Sequence, residues 1–152
     1  MNKWMKIAYN EAITGMNSNE GGPFGAVIVK DGEVIASSHN RVLLSKDPTS
    51  HAEINAIRKA TQILDDFDLS GCVLYTTCQP CPMCLGAIFW ARIDTVYYGA
   101  TKEDAARGGF DDKRFYEMIN GQNSDVNLLQ INAKENALLF EKWNKKSDSK
   151  LY

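Results

Sequence analysis

Apolar side chains recur at helical spacing over residues 3–16, with Trp4, Ile7, Ala8, Ala12 and Met16 on one side, which predicts a covering helix. Residues 24–29 and 33–36 are β-prone runs joined by Lys30-Asp31-Gly32; Asp-Gly between such runs predicts an antiparallel hairpin. A polar stretch, 45–50, contains Pro48 and precedes a run, 51–64, in which Ile54, Ile57, Ala60 and Leu64 repeat at helical intervals. Ser50-His51-Ala52-Glu53 has the form of a capping box at that helix start. Residues 73–76 predict a short buried strand, 82–91 a helix with Pro82 at its first position, and 95–98 a further strand. Beyond Gly108-Gly109 the periodicity weakens: 113–120 fits a short helix, 126–131 a last strand, 133–143 a terminal helix, and 144–150 a solvated tail before Leu151-Tyr152.

Strands alternating with helices after residue 50 imply crossovers within one sheet, so the pattern predicts a three-layer α/β sandwich that opens with a hairpin. The sheet is therefore expected to be mixed. With 152 residues and neither repeat nor linker, the chain is expected to form one domain, 1–152. Its 17 Lys plus Arg against 19 Asp plus Glu give a net charge of -2, which disfavours nucleic-acid binding. No apolar run approaches the ~20 residues of a membrane-spanning helix, and the amino terminus lacks the form of a signal peptide; the cytoplasm is the expected compartment. The four cysteines are accordingly expected to be thiols, metal ligands or redox groups rather than a disulfide framework.

Three of those cysteines crowd into Cys78-Gln79-Pro80-Cys81-Pro82-Met83-Cys84, in which Cys81 lies thirty positions after the histidine of His51-Ala52-Glu53. One imidazole and two thiolates form a three-ligand set for a single Zn²⁺ with a fourth position open. Both halves fall where helices should begin, so the ligands would converge from two helix N-termini whose dipoles favour thiolate. The overlapping Cys-x-x-Cys pairs leave the choice of cysteines open; Cys81 and Cys84 are favoured because Cys78 should lie at a strand end. Glu53 is placed to reach the metal-activated water without ligating the metal, as a proton shuttle would be. Cys72 is read as a small buried hydrophobe, and His39 as a surface or packing histidine.

Gly22-Pro23-Phe24-Gly25-Ala26-Val27-Ile28-Val29, Asp47-Pro48-Thr49-Ser50-His51-Ala52-Glu53 and Pro80-Cys81-Pro82-Met83-Cys84 resemble the cytidine deaminase superfamily. Trp90-Ala91-Arg92, Gly109-Phe110-Asp111-Asp112 and the aromatic carboxy terminus extend the resemblance, within it, to the bacterial guanine deaminases. The resemblance implies a five-stranded mixed sheet between helices, one zinc per chain, and hydrolysis of guanine to xanthine and ammonia. It implies a homodimer in which segment 113–152 is swapped and closes over the partner's site. Carried over by position, His51, Cys81 and Cys84 would hold zinc, Glu53 and Asp112 would handle protons, and Asn40, Phe24, Trp90 and Tyr152 would bind the base. Gln79, where many relatives carry Glu, and Arg41, where a neutral residue is usual, depart from the pattern. Other substrates within the same chemistry are guanosine, other nucleosides, cytosine and, less compatible with the charge, tRNA adenosine. Outside it stand a dithiol oxidoreductase using Cys78, Cys81 and Cys84, and a zinc-stabilised binding module in which Glu53 would have no task.

Overall fold

The computed structural model describes residues 1–123 and 125–152. Helix α1 (Lys3–Asn17) is capped by Asn2, whose side chain accepts from the Trp4 and Met5 amides at 2.8 and 3.2 Å and so satisfies donors the first turn leaves open. Strands β1 (Gly25–Lys30) and β2 (Glu33–His39) pair antiparallel. Asp31 and Gly32 connect them at φ of 50° and 81°, the two positive values that a tight hairpin turn requires. There follow α2 (Val42–Ser45), α3 (Ala52–Leu64), β3 (Cys72–Cys78), α4 (Pro82–Trp90), β4 (Thr95–Ala100), α5 (Lys102–Arg107), α6 (Asp112–Ile119) and α7 (Ala133–Lys145).

The sheet runs β2-β1-β3-β4, antiparallel at its first two pairings and parallel between β3 and β4, the mixed sheet expected. On one face α1 packs Ala8 against Val27, Val29 and Tyr75. On the other, Ala52, Ala56 and Ala60 of α3 and Ile88 of α4 meet Ala26, Ile28 and Leu74. Strand β1 is thus covered on both faces, which is why its apolar run does not alternate. The α1–β1 approach is close enough that a Cβ on Gly25 would lie 2.0 Å from the Ala8 carbonyl oxygen, so only glycine fits there.

Two expectations need correction. Among the described residues the sheet has four strands, not five: 126–131 form none, and Leu128, Leu129 and Ile131 are 92, 85 and 76% exposed. A strand persists by pairing with an edge and burying one face, and this chain gives that segment neither. The supposed capping box is not formed either. His51 is the N-cap of α3 and makes no side-chain cap bond, the Ser50 hydroxyl bonds Asn55, and Glu53 turns inward to β3. Helices α2 and α5 carry no periodicity that could announce them, being four and six residues long; α5 is held by a Thr101–Asp104 capping box.

Candidate active site

The two predicted halves meet because both begin helices on the same side of the sheet. His51 and Cys81 are the N-cap residues of α3 and α4, each extended, with ψ of 157° and 165°, and neither side chain caps its own helix. Each turns instead to the other: Cys81 Sγ lies 3.6 Å from His51 Nδ1, and Cys84 Sγ, from the first turn of α4, lies 3.5 Å from the same nitrogen. The three donor atoms fall within 4.8 Å of one another, the one such group among the described residues. Tetrahedral zinc with ordinary Zn–S and Zn–N bonds separates its ligand atoms by about 3.5–3.8 Å, so the donor set fits that ion. Pro82, at the first position of α4, rigidifies the turn between the cysteines and lacks an N–H that would go unbonded.

The electrostatics point the same way. Hydrogen bonds from Cys84 and His51 hold the Cys81 thiolate down at about 4, whereas donation to Cys81, together with burial, pushes the Cys84 thiol up. A dication supplies the positive charge that two neighbouring thiolates need. The Cys81 hydrogen bond raises His51, against burial. Cys78 stands apart: its thiol donates to the Thr101 carbonyl at 3.6 Å, and burial pushes it up to about 11. It lines the cavity but is not in the donor group, so the choice of Cys81 and Cys84 agrees with the geometry.

Glu53 is 5% exposed. The Thr76 hydroxyl donates to its Oε1 at 3.1 Å and the Cys84 thiol to its Oε2 at 3.5 Å. Burial raises its carboxyl above the ordinary range, the state a proton carrier wants near neutral pH. These groups face a cavity of about 540 Å³ that also takes in Phe24, Asn40, Phe110, Asp111 and Asp112. Phe24 meets Phe110 edge to face, ring centres 4.8 Å apart. Asn40 is buried, and its Oδ1 accepts from the Val42 amide at 3.1 Å, which leaves its amide nitrogen for donation. Asp112 opens α6, and burial raises its carboxyl. Asp111 is the N-cap there but makes no side-chain cap bond, and both acids reach the cavity.

Trp90 and Tyr152 lie elsewhere. They pack against each other on the surface at 5.8 Å, Tyr152 also meets Phe67, and the Arg92 guanidinium donates to the Tyr152 carbonyl at 2.9 Å. Neither lines this chain's cavity. Gln79 accepts from the Lys102 amide at 3.3 Å, and Arg41 pairs with Glu20 at 3.2 Å. Sequence reasoning missed Phe110, Thr76 and Tyr116, whose hydroxyl donates to the Pro80 carbonyl at 2.5 Å and ties α6 to the cysteine turn. Only Phe110 had a visible signal, the Gly108-Gly109 turn before it, where Gly109 takes φ 92°.

A His-Cys-Cys donor set at two helix N-termini, with a buried glutamate beside it, defines the class of zinc-dependent base deaminases. The model of the cytidine and deoxycytidylate deaminase zinc-binding region matches residues 1–100, and the chain belongs to that family. A guanine deaminase of Bacillus subtilis is 46% identical over 98% of this chain and 97% of its own length. The crystal structure of guanine deaminase from Bacillus subtilis superposes with a TM-score of 0.93 over 100% of this chain and 99% of that one. A tRNA-specific adenosine deaminase of Aquifex aeolicus is 43% identical over 70% of this chain and 68% of its own.

Proposed function

We propose that this chain hydrolyses guanine to xanthine and ammonia. The observation that carries the reading is the convergence of His51, Cys81 and Cys84 beside buried Glu53 on a cavity walled by Phe24 and Phe110. The guanine deaminase likeness spans 98% of the chain, whereas the likeness to the tRNA-specific adenosine deaminases of Aquifex aeolicus and Buchnera aphidicola covers 70% and 76%. The sequence pI of 5.7 also favours a small purine over an RNA.

In this mechanism His51, Cys81 and Cys84 would hold zinc, which when bound would supply the Lewis acidity that makes water nucleophilic near neutral pH. Glu53 takes a proton from that water as its oxygen attacks C2, the carbon that bears the amino group, and delivers it to the adjacent ring nitrogen. The tetrahedral carbon then loses its amino group as ammonia, with Glu53 moving the second proton from the new hydroxyl to the leaving nitrogen and Asp112 assisting. Water and guanine are consumed; xanthine and ammonia are released. Asn40 donates to the base edge from its free amide nitrogen, and the two phenylalanines enclose the flat ring and exclude water.

We further propose that the chain is one deaminase domain that works as a homodimer, and that the part of segment 113–152 beyond α6 is swapped onto the partner, α6 itself being tied to its own chain by the Tyr116–Pro80 hydrogen bond. Helix α7 has no buried residue, and Leu138, Leu139 and Phe140 are exposed. Exposed apolar surface of that extent calls for cover; Leu85, Phe89, Tyr97 and Tyr98 on α4 and β4 are also exposed. Trp90 and Tyr152 reach a site, on this reading, only across that interface. Four free cysteines suit a reducing compartment, the cytoplasm.

The test is ammonia release from guanine, guanosine, adenosine and cytosine by purified protein with zinc measured per chain. Guanine-selective turnover with one zinc is expected. Turnover of a nucleoside in preference to guanine would keep the reaction class and overturn the substrate. Dithiol chemistry without zinc would overturn both.

A further inference from the structure

One wall of the cavity hangs on a polar cluster outside it. His39, the last residue of β2, is no free surface histidine: its ring is 15% exposed and lies between two carboxylates, Nδ1 2.7 Å from Glu11 Oε2 and Nε2 2.9 Å from Glu20 Oε2. The ring thus bridges α1 and the loop that follows it, one nitrogen to each carboxyl group. Glu11 comes from α1, and its other oxygen takes the Ser37 hydroxyl at 2.6 Å. Glu20 comes from the loop after α1 and also takes the Arg41 guanidinium at 3.2 Å. Lys59 of α3 faces the cluster and donates to the Ser37 carbonyl at 2.9 Å. The ring is seated so closely on α1 that a Cβ on Gly15 would lie 2.4 Å from His39 Cδ2.

The links through Glu20 and the His39 backbone lead to the cavity. The Glu20 carbonyl accepts from the Leu43 and Leu44 amides at 3.0 Å each, which holds α2 against the loop. Gly21, Gly22 and Phe24 continue that loop into the cavity wall, and the Asn40 amide, next to His39, bonds the Phe24 carbonyl at 3.0 Å. The Asn55 side chain fixes the His39 carbonyl from α3 at 3.0 Å. The side chains of the zinc ligands and Glu53 take no part in these bonds, which α3 joins through Asn55 and Lys59.

We infer that His39 is a positioning residue, a brace between Glu11 and Glu20 that sets the loop and Asn40 at the geometry the substrate base requires. This inference rests on the proposed guanine site but addresses its affinity rather than its chemistry. A wall that binds ground state and transition state alike changes KM and leaves kcat.

The test pairs a structural readout with a kinetic one on full-length zinc enzyme. His39→Gln breaks the brace directly. Glu20→Ala cuts it from the half-exposed loop, should residue 39 be needed for folding, and Glu20→Gln restores an acceptor to Nε2. Hydrogen exchange of the Leu43 and Leu44 amides reads the brace without any substrate. With His39→Gln and Glu20→Ala, those amides should exchange faster while Leu74 in β3 does not. KM for guanine should rise on the order of tenfold, the scale of one lost charge-assisted hydrogen bond, with kcat held and Glu20→Gln recovering most of the loss. Unchanged exchange at Leu43 and Leu44, or unchanged KM, or a fall in kcat at constant KM, would each overturn the inference. Wild-type enzyme that is silent on guanine would overturn the proposed substrate instead, and the exchange measurement would still decide the brace.

Discussion

The first hundred residues and the last forty use similar side chains to opposite ends. Ile28, Leu69 and Leu74 are fully buried between the sheet and its helices, whereas Leu128, Leu129 and Ile131 are at least 76% exposed. Exposed apolar surface of that extent marks a candidate contact surface. The chemistry divides in the same place. All three metal donors and Glu53 come from the first part, while Asp112 and Phe110, which shape the cavity, come from its junction with the second. The first part thus supplies the metal donors and Glu53, and the junction residues Phe110, Asp111, Asp112 and Phe115 complete the cavity wall.

The largest effect should come from the reaction centre. Glu53→Gln keeps the side chain's shape and its hydrogen bond from Thr76 but removes the proton carrier. Since positioned acid–base groups contribute about 10²–10⁴-fold, turnover of guanine should fall by about that factor while zinc per chain stays at the wild-type level. Ammonia release and metal analysis on one preparation check both halves. Loss of zinc together with activity would move Glu53 from proton carrier to ligand.

The same division decides what could be read from the chain. The hairpin at Asp31-Gly32 and the donor set His51, Cys81 and Cys84 were legible because each is local: a turn fixed by two residues, and ligands set at helix starts by Pro82 and by spacing. The fifth strand was misplaced because pairing is not local. Residues 126–131 have β-prone composition, but within this chain no edge receives them. Thr76 and Tyr116 were invisible for a related reason, since a hydroxyl acquires a role only from what the fold sets opposite it, here Glu53 and the Pro80 carbonyl. The capping box failed by competition. Glu53 gains more from the interior, where Thr76 and Cys84 meet it, than from its own helix start. Asp111 and Asp112 could not be told apart because adjacent acids at a helix start present the same pattern, and both face the cavity.

One substitution made in both regions sharpens the comparison. Leu74→Ala empties a fully buried position and should cost about 2–5 kcal/mol in denaturant unfolding. Leu128→Ala removes a side chain that is 92% exposed and should fall within about 0.5 kcal/mol of zero at dilutions where the chain is monomeric. The proposed dimer adds a further expectation: at higher protein concentration the Leu128→Ala difference should grow, and sedimentation should show weaker association. A Leu128→Ala effect independent of concentration would place that side chain in its own chain's fold. That outcome would remove the swapped segment from the proposal.

The smallest effect concerns acid stability, where each region contributes a carboxylate held below its ordinary pKa. For Glu11, burial raises the pKa, but hydrogen bonds from Ser37 and His39 outweigh it and leave the group lowered. For Asp125, the Arg114 guanidinium lowers it, through contacts at 2.5 and 2.6 Å in full solvent. A carboxylate lowered by folding stabilises the protein above its unfolded pKa, and that stability disappears as pH falls through the folded one. The Glu11 interaction, half-buried and tied to β2, should survive salt, whereas the exposed Asp125 pair should be screened. Glu11→Gln should therefore lower stability at neutral pH and flatten the loss of melting temperature below about pH 4.5, the ordinary value for Glu. Asp125→Asn in 0.5 M salt should leave the whole curve unchanged. Melting temperatures across pH 2–7 for both variants test the point: equal flattening would mean that the Arg114–Asp125 pair, internal to the carboxy-terminal segment, resists salt as well as the Glu11 cluster does.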